Sequence, residues 1–165
     1  MILEIQGWAF DIDFDATRLY SDKVLEDHCQ CGYCRNFYKA IDGAYPALRP
    51  FLEKFGMCVE TPEELMPFEP TVVTVSYCIS GRILKRAPAP LEGGCTIFAV
   101  DTQEEMPFET QCPEPYFVIT SGYLDLPWLL DEDMNEVIST ANEPEFLEKM
   151  WTRLLETAQD TEISS

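Results

Sequence analysis

The sequence predicts an α+β protein: an antiparallel β-sheet with a helical insert at about residues 33–66 and a C-terminal amphipathic helix. Two segments with period-two alternation, 8–14 and 73–80, indicate half-buried strands. Between them, apolar residues recur at helical spacing. Strands grouped apart from helices favour α+β over an alternating α/β fold. We expect one globular domain at 1–158 and a frayed tail at 159–165.

The first strand is predicted near the N-terminus. Its apolar residues alternate with small or acidic ones, so that one face would be buried and the other would carry carboxylates. These apolar residues are Trp8, Phe10, Ile12 and Phe14.

Two short helices are predicted within the insert. The first has one apolar face and ends near Gly43; the face consists of Cys34, Phe37, Tyr38 and Ile41. The second has its own apolar face, consisting of Leu48, Phe51, Leu52 and Phe55. Gly56 would end it, and Pro50 predicts that it starts near that residue or kinks there. Segment 61–64 has the cap, proline and acidic residue of one more helical turn.

The second half of the chain predicts further strands. Residues 73–79 alternate and would end at Gly81, after which 82–86 either continues the strand or returns as a hairpin partner. Short strands are also expected at 95–100 and 116–120. A closing amphipathic helix is predicted at 142–155, where Asn142 and Glu145 form a capping pair.

One internal similarity is visible. The segment "ELMPFEPT" at 64–71 resembles "EEMPFETQ" at 104–111, and each precedes a strand that ends in Ser-Gly. Two related loop-plus-strand units, 64–81 and 104–122, would explain the similarity, and so would chance.

Charge indicates which partners to expect. The net charge is −19, and residues 101–165 carry sixteen acidic and two basic side chains, a net of −14. Such a field repels nucleic acids and anionic membranes, so neither is an expected partner. A basic protein would be attracted to 101–165. The sequence does not predict an oligomeric state.

The cysteine count and the N-terminus favour a cytoplasmic protein. Seven cysteines do not suit a secreted disulfide framework, and the first residues lack the features of a signal peptide. No apolar run approaches the roughly 20 residues of a spanning helix. We therefore expect a soluble, cytoplasmic chain with reduced thiols.

The most specific chemical pattern is "HCQCGYC" at 28–34. Cys29, Cys31 and Cys34 could supply three zinc ligands, with Cys58 or His28 as the fourth. A second pair of ligands at zinc-module spacing is missing. Metal is also not required for folding, because six large apolar groups can hold the insert on the sheet; they are Phe37, Tyr38, Ile41, Phe51, Leu52 and Phe55. We therefore expect no cofactor, with zinc as the alternative.

Two other interpretations of this pattern remain open. Cys31 and Cys34 form a C-x-x-C pair at a helix start, where the helix dipole favours a nucleophilic thiolate. Alternatively, all three cysteines pack as small hydrophobic groups under the sheet.

No complete catalytic constellation is visible. A single histidine argues against a Ser-His-Asp hydrolase or a multi-histidine metalloenzyme. We expect an interaction or binding protein, not an enzyme, whose cysteine-rich insert is structural. The alternatives are a thiol-dependent oxidoreductase or other cysteine enzyme that uses Cys31 or Cys34, and an acidic inhibitor or immunity-type protein that covers a basic site.

The chain resembles a family of small uncharacterised bacterial proteins with a C-x-C-x-Y-C-R-N-F-Y motif and a late L-P-W-x-L-D segment. The matching residues are Cys29, Cys31, Tyr33, Cys34, Arg35, Asn36, Phe37, Tyr38, Leu126, Pro127, Trp128, Leu130 and Asp131. The resemblance covers about residues 29–132. It implies a cytosolic bacterial protein and no particular activity.

Overall fold

The computed structural model describes residues 1–141, which fall into two units, Met1–Leu129 and a second that begins at Leu130. A seven-stranded antiparallel sheet with inserted helices confirms the predicted α+β class. The elements are β1 (Ile2–Ile5), β2 (Trp8–Ile12), α1 (Phe14–Glu26), α2 (Gly32–Ala44), α3 (Leu48–Glu53), β3 (Glu64–Glu69), β4 (Val72–Lys85), β5 (Ile97–Thr102), β6 (Tyr116–Ser121), β7 (Leu124–Asp125) and, in the second unit, α4 (Met134–Ala141).

The closing helix predicted at 142–155 and the tail at 159–165 lie outside the described residues. The single domain predicted at 1–158 therefore stays a prediction.

Strand β4 is the centre of the sheet. The strand order is β1-β2-β4-β6-β5, and β3 and β7 also pair with β4. The start of β4 pairs with β3 and β7, its middle with β6 and its end with β2. One 14-residue strand therefore joins the two halves of the sheet.

Gly81 lies where β4 passes from β6 to β2, and the prediction that it ends the strand was wrong. Its φ is +145°, and a Cβ atom there would lie 2.2 Å from the backbone oxygen of Asp11. Only glycine fits this close approach. The glycine lets the strand continue, so residues 82–85 extend β4 and do not form a hairpin partner.

Helices α2 and α3 lie close to their predicted positions. Helix α3 begins at Leu48, two residues before Pro50. Proline is tolerated there because the N–H groups of the first helical turn have no partner within the helix. Gly56, with φ +84°, follows the helix and confirms the predicted stop.

Helix α1 was not predicted, and the placement of Phe14 on the first strand was wrong. Asp13 caps the helix, and its Oδ1 accepts a hydrogen bond of 3.1 Å from the N–H of Ala16. The buried face of α1 contains Thr17, Tyr20 and Ser21. Because these side chains are polar or amphipathic, the apolar periodicity that reveals helices is weak here.

The helical turn predicted at 61–64 was also wrong. The N–H of Glu63 donates to the carbonyl of Ser76 at 2.7 Å, and β3 begins at Glu64. The backbone N–H and C=O groups of this segment form hydrogen bonds with β4 and not with one another in a helical turn. The insert therefore has helices only within 32–53, and its predicted end at 66 lies in a strand.

The two similar segments have different structures. Residues 64–69 form β3, whereas 104–111 contain only turns and irregular backbone. The similarity of 64–81 to 104–122 is therefore not a repeat of a structural unit.

Aromatic packing joins the insert to the sheet. Phe55 meets Phe10 of β2 edge-on at 5.4 Å between ring centroids and Phe117 of β6 at 6.3 Å. Of the six residues predicted to hold the insert, five are buried and Tyr38 is half-buried. At about 1.5–3 kcal/mol for each buried side chain, apolar contacts account for the docking of α2 and α3.

Candidate functional site

The three-cysteine segment lies between α1 and α2, and its last cysteine is in the first turn of α2. Cys31 is the N-cap: its φ of −64° and ψ of 160° are extended, and its Sγ accepts from the N–H of Cys34 at 3.5 Å. This contact takes the place of the oxygen cap that serine or aspartate commonly supplies. The N-cap group of α2 is therefore a thiol.

The three sulfurs converge. The Sγ atoms of Cys29, Cys31 and Cys34 all lie within 4.8 Å of one another. Cys29 and Cys31 are exposed, and Cys34 is half-buried. The N–H of Cys31 also donates to Sγ of Cys29 at 3.5 Å. Packing of these cysteines under the sheet, one of the sequence interpretations, is therefore wrong for Cys29 and Cys31.

The cluster favours ionisation of one thiol. A hydrogen bond from the Cys34 thiol lowers the pKa of Cys31 to about 5, against the opposing effect of burial, and the N–H of Cys34 and the Cys29 thiol add to the lowering. The same bond to the Cys31 thiolate, together with burial, raises the pKa of Cys34. The cluster thus favours ionisation of Cys31 over ionisation of Cys34.

Neighbouring side chains hold the loop that carries the cysteines. The hydroxyl of Tyr38 donates to the carbonyl of Cys29 at 3.0 Å, and Nε of Arg35 donates to the carbonyl of Gln30 at 2.8 Å. Burial, and then the charge of the nearby cysteine sulfurs, raises the pKa of the Tyr38 hydroxyl. Both contacts come from α2, so the helix positions the loop that precedes it.

His28 lies beside the cluster but points its nitrogens elsewhere. Nδ1 lies 2.6 Å from the carbonyl of Leu25, and Nε2 lies 3.1 Å from Nε2 of Gln30. Because a carbonyl only accepts, Nδ1 carries the proton and Nε2 accepts from the amide. Its ring packs edge-on against Tyr38 at 4.6 Å.

Cys58 is not a member of the three-sulfur cluster. Its N–H donates to Oγ of Ser21 at 3.1 Å, and its thiol donates to Oε2 of Glu60 at 2.7 Å. Burial and the hydrogen bond to Glu60 raise its pKa. Within the described residues, the structure gives the cluster neither of the fourth ligands that the sequence suggested, Cys58 and His28.

The remaining cysteines belong to the interior. Cys78 and Cys112 are buried and Cys95 is half-buried. Burial raises the pKa of Cys112 to about 12 and that of Cys95 to about 11. These thiols are neutral and shielded, and the packing interpretation describes them well.

Two polar side chains that fix the insert were given no structural role by the sequence predictions. Arg49 bonds Asp42 at 2.9 and 2.8 Å and also pairs with Glu60, which ties α2, α3 and the following loop together. Asn36, 3% exposed, donates to the carbonyl of Pro127 at 3.1 Å. Neither has a local sequence signal, because each depends on partners brought close by the fold.

The cluster has the donor type and spacing for a soft metal ion. Tetrahedral zinc binds sulfur at about 2.3 Å, which places the sulfurs roughly 3.8 Å apart. Sulfurs that already lie within 4.8 Å of one another need only small side-chain rotations to reach that separation. A thiolate with a neighbouring thiol can also react with a disulfide.

No helix among residues 1–141 is long and apolar enough to cross a membrane. Cytoplasmic location and a basic partner for 101–165 stay predictions. Comparison with protein-family models gives no match, and comparisons with curated proteins and with solved structures give none either. The resemblance to a bacterial family likewise stays a prediction.

Proposed function

We propose that the chain is a metal-binding protein, without a catalytic reaction of its own, whose three-sulfur cluster binds a thiophilic ion, zinc in the first place. The observation that carries the proposal is the convergence of three Sγ atoms within 4.8 Å at a partly exposed surface. Thiolates are the protein ligands that soft and borderline metal ions prefer.

The third sulfur distinguishes metal binding from dithiol chemistry alone. Disulfide exchange needs only two thiols, and Cys31 with Cys34 would suffice. Cys29 adds a third donor from outside the helix, exposed like Cys31. This third donor is not needed for redox chemistry, whereas three donors around one point are suited to coordination.

The coordination shell would be completed from outside the cluster. The described part of the chain brings no fourth cysteine, histidine or carboxylate into this group. A water molecule or a donor from a partner would take the fourth position, as in zinc sites that keep an open position. Such a site exchanges its metal more readily than a closed four-cysteine site.

The bound metal would not be the element that folds the insert. Phe37, Ile41 and Leu52 are each 0% exposed, and the contacts of Phe55 tie the insert to the sheet. This differs from small zinc modules, which fold only with metal. The proposal thus replaces the structural role expected from the sequence with binding of an exchangeable ion.

Titration of reduced, chelator-treated protein with Co²⁺ and then Zn²⁺ tests the proposal. We expect one equivalent of Co²⁺ to produce a thiolate-to-metal absorption band that Zn²⁺ removes. Cys29→Ser, Cys31→Ser and Cys34→Ser should each weaken binding at least about tenfold. Cys58→Ser is the matched control and should bind as the unmodified protein does.

Two results would contradict the proposal. One is a triple serine variant at positions 29, 31 and 34 that binds Co²⁺ as strongly as the unmodified chain. The other is the absence of a thiolate band in protein whose free thiols have been counted and found reduced.

A further inference from the structure

We infer that Cys31 and Cys34 exchange electrons with small-molecule disulfides, such as oxidised glutathione, to form an intramolecular disulfide that switches off the metal site. The exchange depends only on the two cysteines. The switch depends in addition on the proposed metal binding by Cys29, Cys31 and Cys34.

The backbone geometry places the two cysteines for bonding. They lie three positions apart, with Cys31 at the N-cap and Cys34 in the first turn of α2. The Cys31 side chain already turns toward Cys34, because its Sγ accepts from the N–H of that residue at 3.5 Å. Since both sulfurs lie within 4.8 Å of each other, rotation of the side chains can bring them to the roughly 2.05 Å of a disulfide.

The two thiols differ in accessibility, which sets the order of steps. Cys31 is exposed and can meet a bulky disulfide, whereas Cys34 is half-buried. The Cys31 sulfur attacks one sulfur of the small disulfide, whose S–S bond breaks and releases one thiolate. This leaves a mixed disulfide between Cys31 and the other half of the small molecule.

Cys34 then completes the exchange. It gives up its proton, its sulfur attacks Sγ of Cys31, and the second small thiolate leaves. The two released thiolates take up protons in solution. In sum, two electrons pass from the protein dithiol to the small disulfide, which is reduced to two thiols, and one protein disulfide is formed.

Oxidation would remove two of the three sulfur ligands. A sulfur in a disulfide is no longer a thiolate and cannot bind zinc in that form. Cys29 would remain as a single thiol, which is too few ligands for tight binding. The metal affinity of the protein would therefore fall as the concentration of oxidised glutathione rises relative to the square of the concentration of reduced glutathione.

The exchange is tested with metal-free protein that has been equilibrated in buffers with different proportions of oxidised and reduced glutathione. The reaction is quenched with acid, free thiols are alkylated, and the disulfides are located by peptide mass spectrometry. We expect a Cys31–Cys34 disulfide in the unmodified protein and in Cys29→Ser and Cys58→Ser. When each is combined with Cys29→Ser, so that only one cluster thiol remains, Cys34→Ser should stop at glutathione bound to Cys31, and Cys31→Ser should form no intramolecular disulfide.

Metal binding is measured on the same samples by Co²⁺ titration. Failure of the disulfide exchange can then be distinguished from failure of the proposed metal binding. Loss of the thiolate band in step with formation of the disulfide supports the switch. A disulfide that maps to Cys29 with either partner, or no disulfide at any glutathione ratio, overturns the inference and leaves the metal site standing. A Cys31–Cys34 disulfide in a protein that binds no metal when reduced supports the exchange and overturns the switch together with the proposed function.

Discussion

Asn36 Oδ1 accepts a hydrogen bond of 2.7 Å from the backbone N–H of Leu129, although 93 positions separate the two residues in the chain. Its Nδ2 donates to the carbonyl of Pro127 at 3.1 Å. One buried carboxamide thus satisfies the backbone on both sides of Trp128. The contact joins α2, two residues beyond Cys34, to the late segment that follows β7.

Asn36→Ala should destabilise the protein by about 2–3 kcal/mol, because it leaves a buried backbone donor and acceptor without their partner. Urea unfolding followed by circular dichroism measures the change. Lys39→Ala on the exposed side of the same helix is the control and should change stability by less than about 0.5 kcal/mol. Equal stabilities for the two variants would show that water replaces the carboxamide.

Two glycine-to-alanine changes should act in opposite directions. Gly81→Ala places a methyl group against the backbone oxygen of Asp11 at a φ of +145° and should cost about 2–4 kcal/mol. Gly43→Ala, in α2, where the new Cβ would meet nothing within 4 Å beyond its chain neighbours and the backbone of its own helix, should stabilise the helix by about 0.5–1 kcal/mol. Thermal unfolding of both variants gives the comparison. A mild effect at Gly81 would mean that β2 shifts freely away from β4.

The sequence predicts a helix or strand well where the apolar pattern of that element is strong. Strands β2 and β6 and helix α2 bury a clear face, and their positions were predicted closely. Helix α1 buries Thr17 and Ser21, so it gives little apolar signal. The short strands β3 and β7 owe their structure to pairing with β4, which no local pattern shows.

The candidate site was predicted in part for a similar reason. Cys29, Cys31 and Cys34 are neighbours in sequence, so their convergence follows from local geometry at a helix start. The sequence suggested Cys58 as one candidate for a fourth zinc ligand, with His28 as the other. Instead the N–H of Cys58 bonds to Ser21, on a helix that the sequence analysis had missed. This contact depends on a helix whose buried face is largely polar, so the sequence pattern could not predict it.

Zinc should stabilise the unmodified chain only modestly. The three ligands lie within six residues, so the unfolded chain can also bind the ion, and binding to both states cancels in the unfolding equilibrium. We expect the Tm to rise by less than about 4 °C at saturating zinc, which corresponds to about 1 kcal/mol. Collapse of the fold in chelator would instead show that the metal is structural.

The control for the zinc experiment is the variant with serine at all three cluster positions. A serine hydroxyl at position 31 would cap α2 at least as well as the Cys31 thiol, and the exposed thiol of Cys29 contributes no burial. At pH 5, where ionisation of Cys31 contributes little to folding, metal-free protein and this variant should therefore differ by less than about 1 kcal/mol in urea unfolding. The Tm of the variant should not respond to zinc at all.

Glu63 should make stability depend on pH. Burial raises the pKa of its carboxyl, which accepts a hydrogen bond from the Tyr20 hydroxyl. A folded-state pKa above the unfolded value means that this contribution is present at acidic pH and is lost as pH rises through the folded pKa. Glu63→Gln keeps an acceptor without the charge, so it should be more stable than the unmodified protein at pH 7.

Urea unfolding of Glu63→Gln at several pH values checks this expectation. Its advantage should disappear below pH 4.5, the ordinary pKa of the group. Glu69, an exposed residue at the end of β3, changed to Gln, is the control for loss of a surface charge and should change stability by less than about 0.5 kcal/mol at pH 7. Parallel pH profiles for the two variants would show that the Glu63 carboxyl is solvated in the folded protein.

Ionisation of Cys31 should stabilise the folded state of the metal-free protein. Its pKa of about 5 in the folded state lies below the ordinary 9.0. Ionisation therefore favours the folded state above about pH 5, increasingly up to about pH 9, and this contribution is lost on acidification. The lowering also makes the thiol reactive at neutral pH, because the thiolate is the nucleophile.

The alkylation of Cys31 by iodoacetamide should reveal this ionisation directly. In metal-free protein its rate should rise around pH 5 and level off by neutral pH, and mass spectrometry of the modified peptide separates it from Cys29. Because the Cys34 thiol is the largest cause of the lowering, Cys34→Ala should move the profile to higher pH. Cys34→Ser retains a donor and should move it less. A profile centred near 9.0 in all three proteins would show that the thiols do not share a proton in solution.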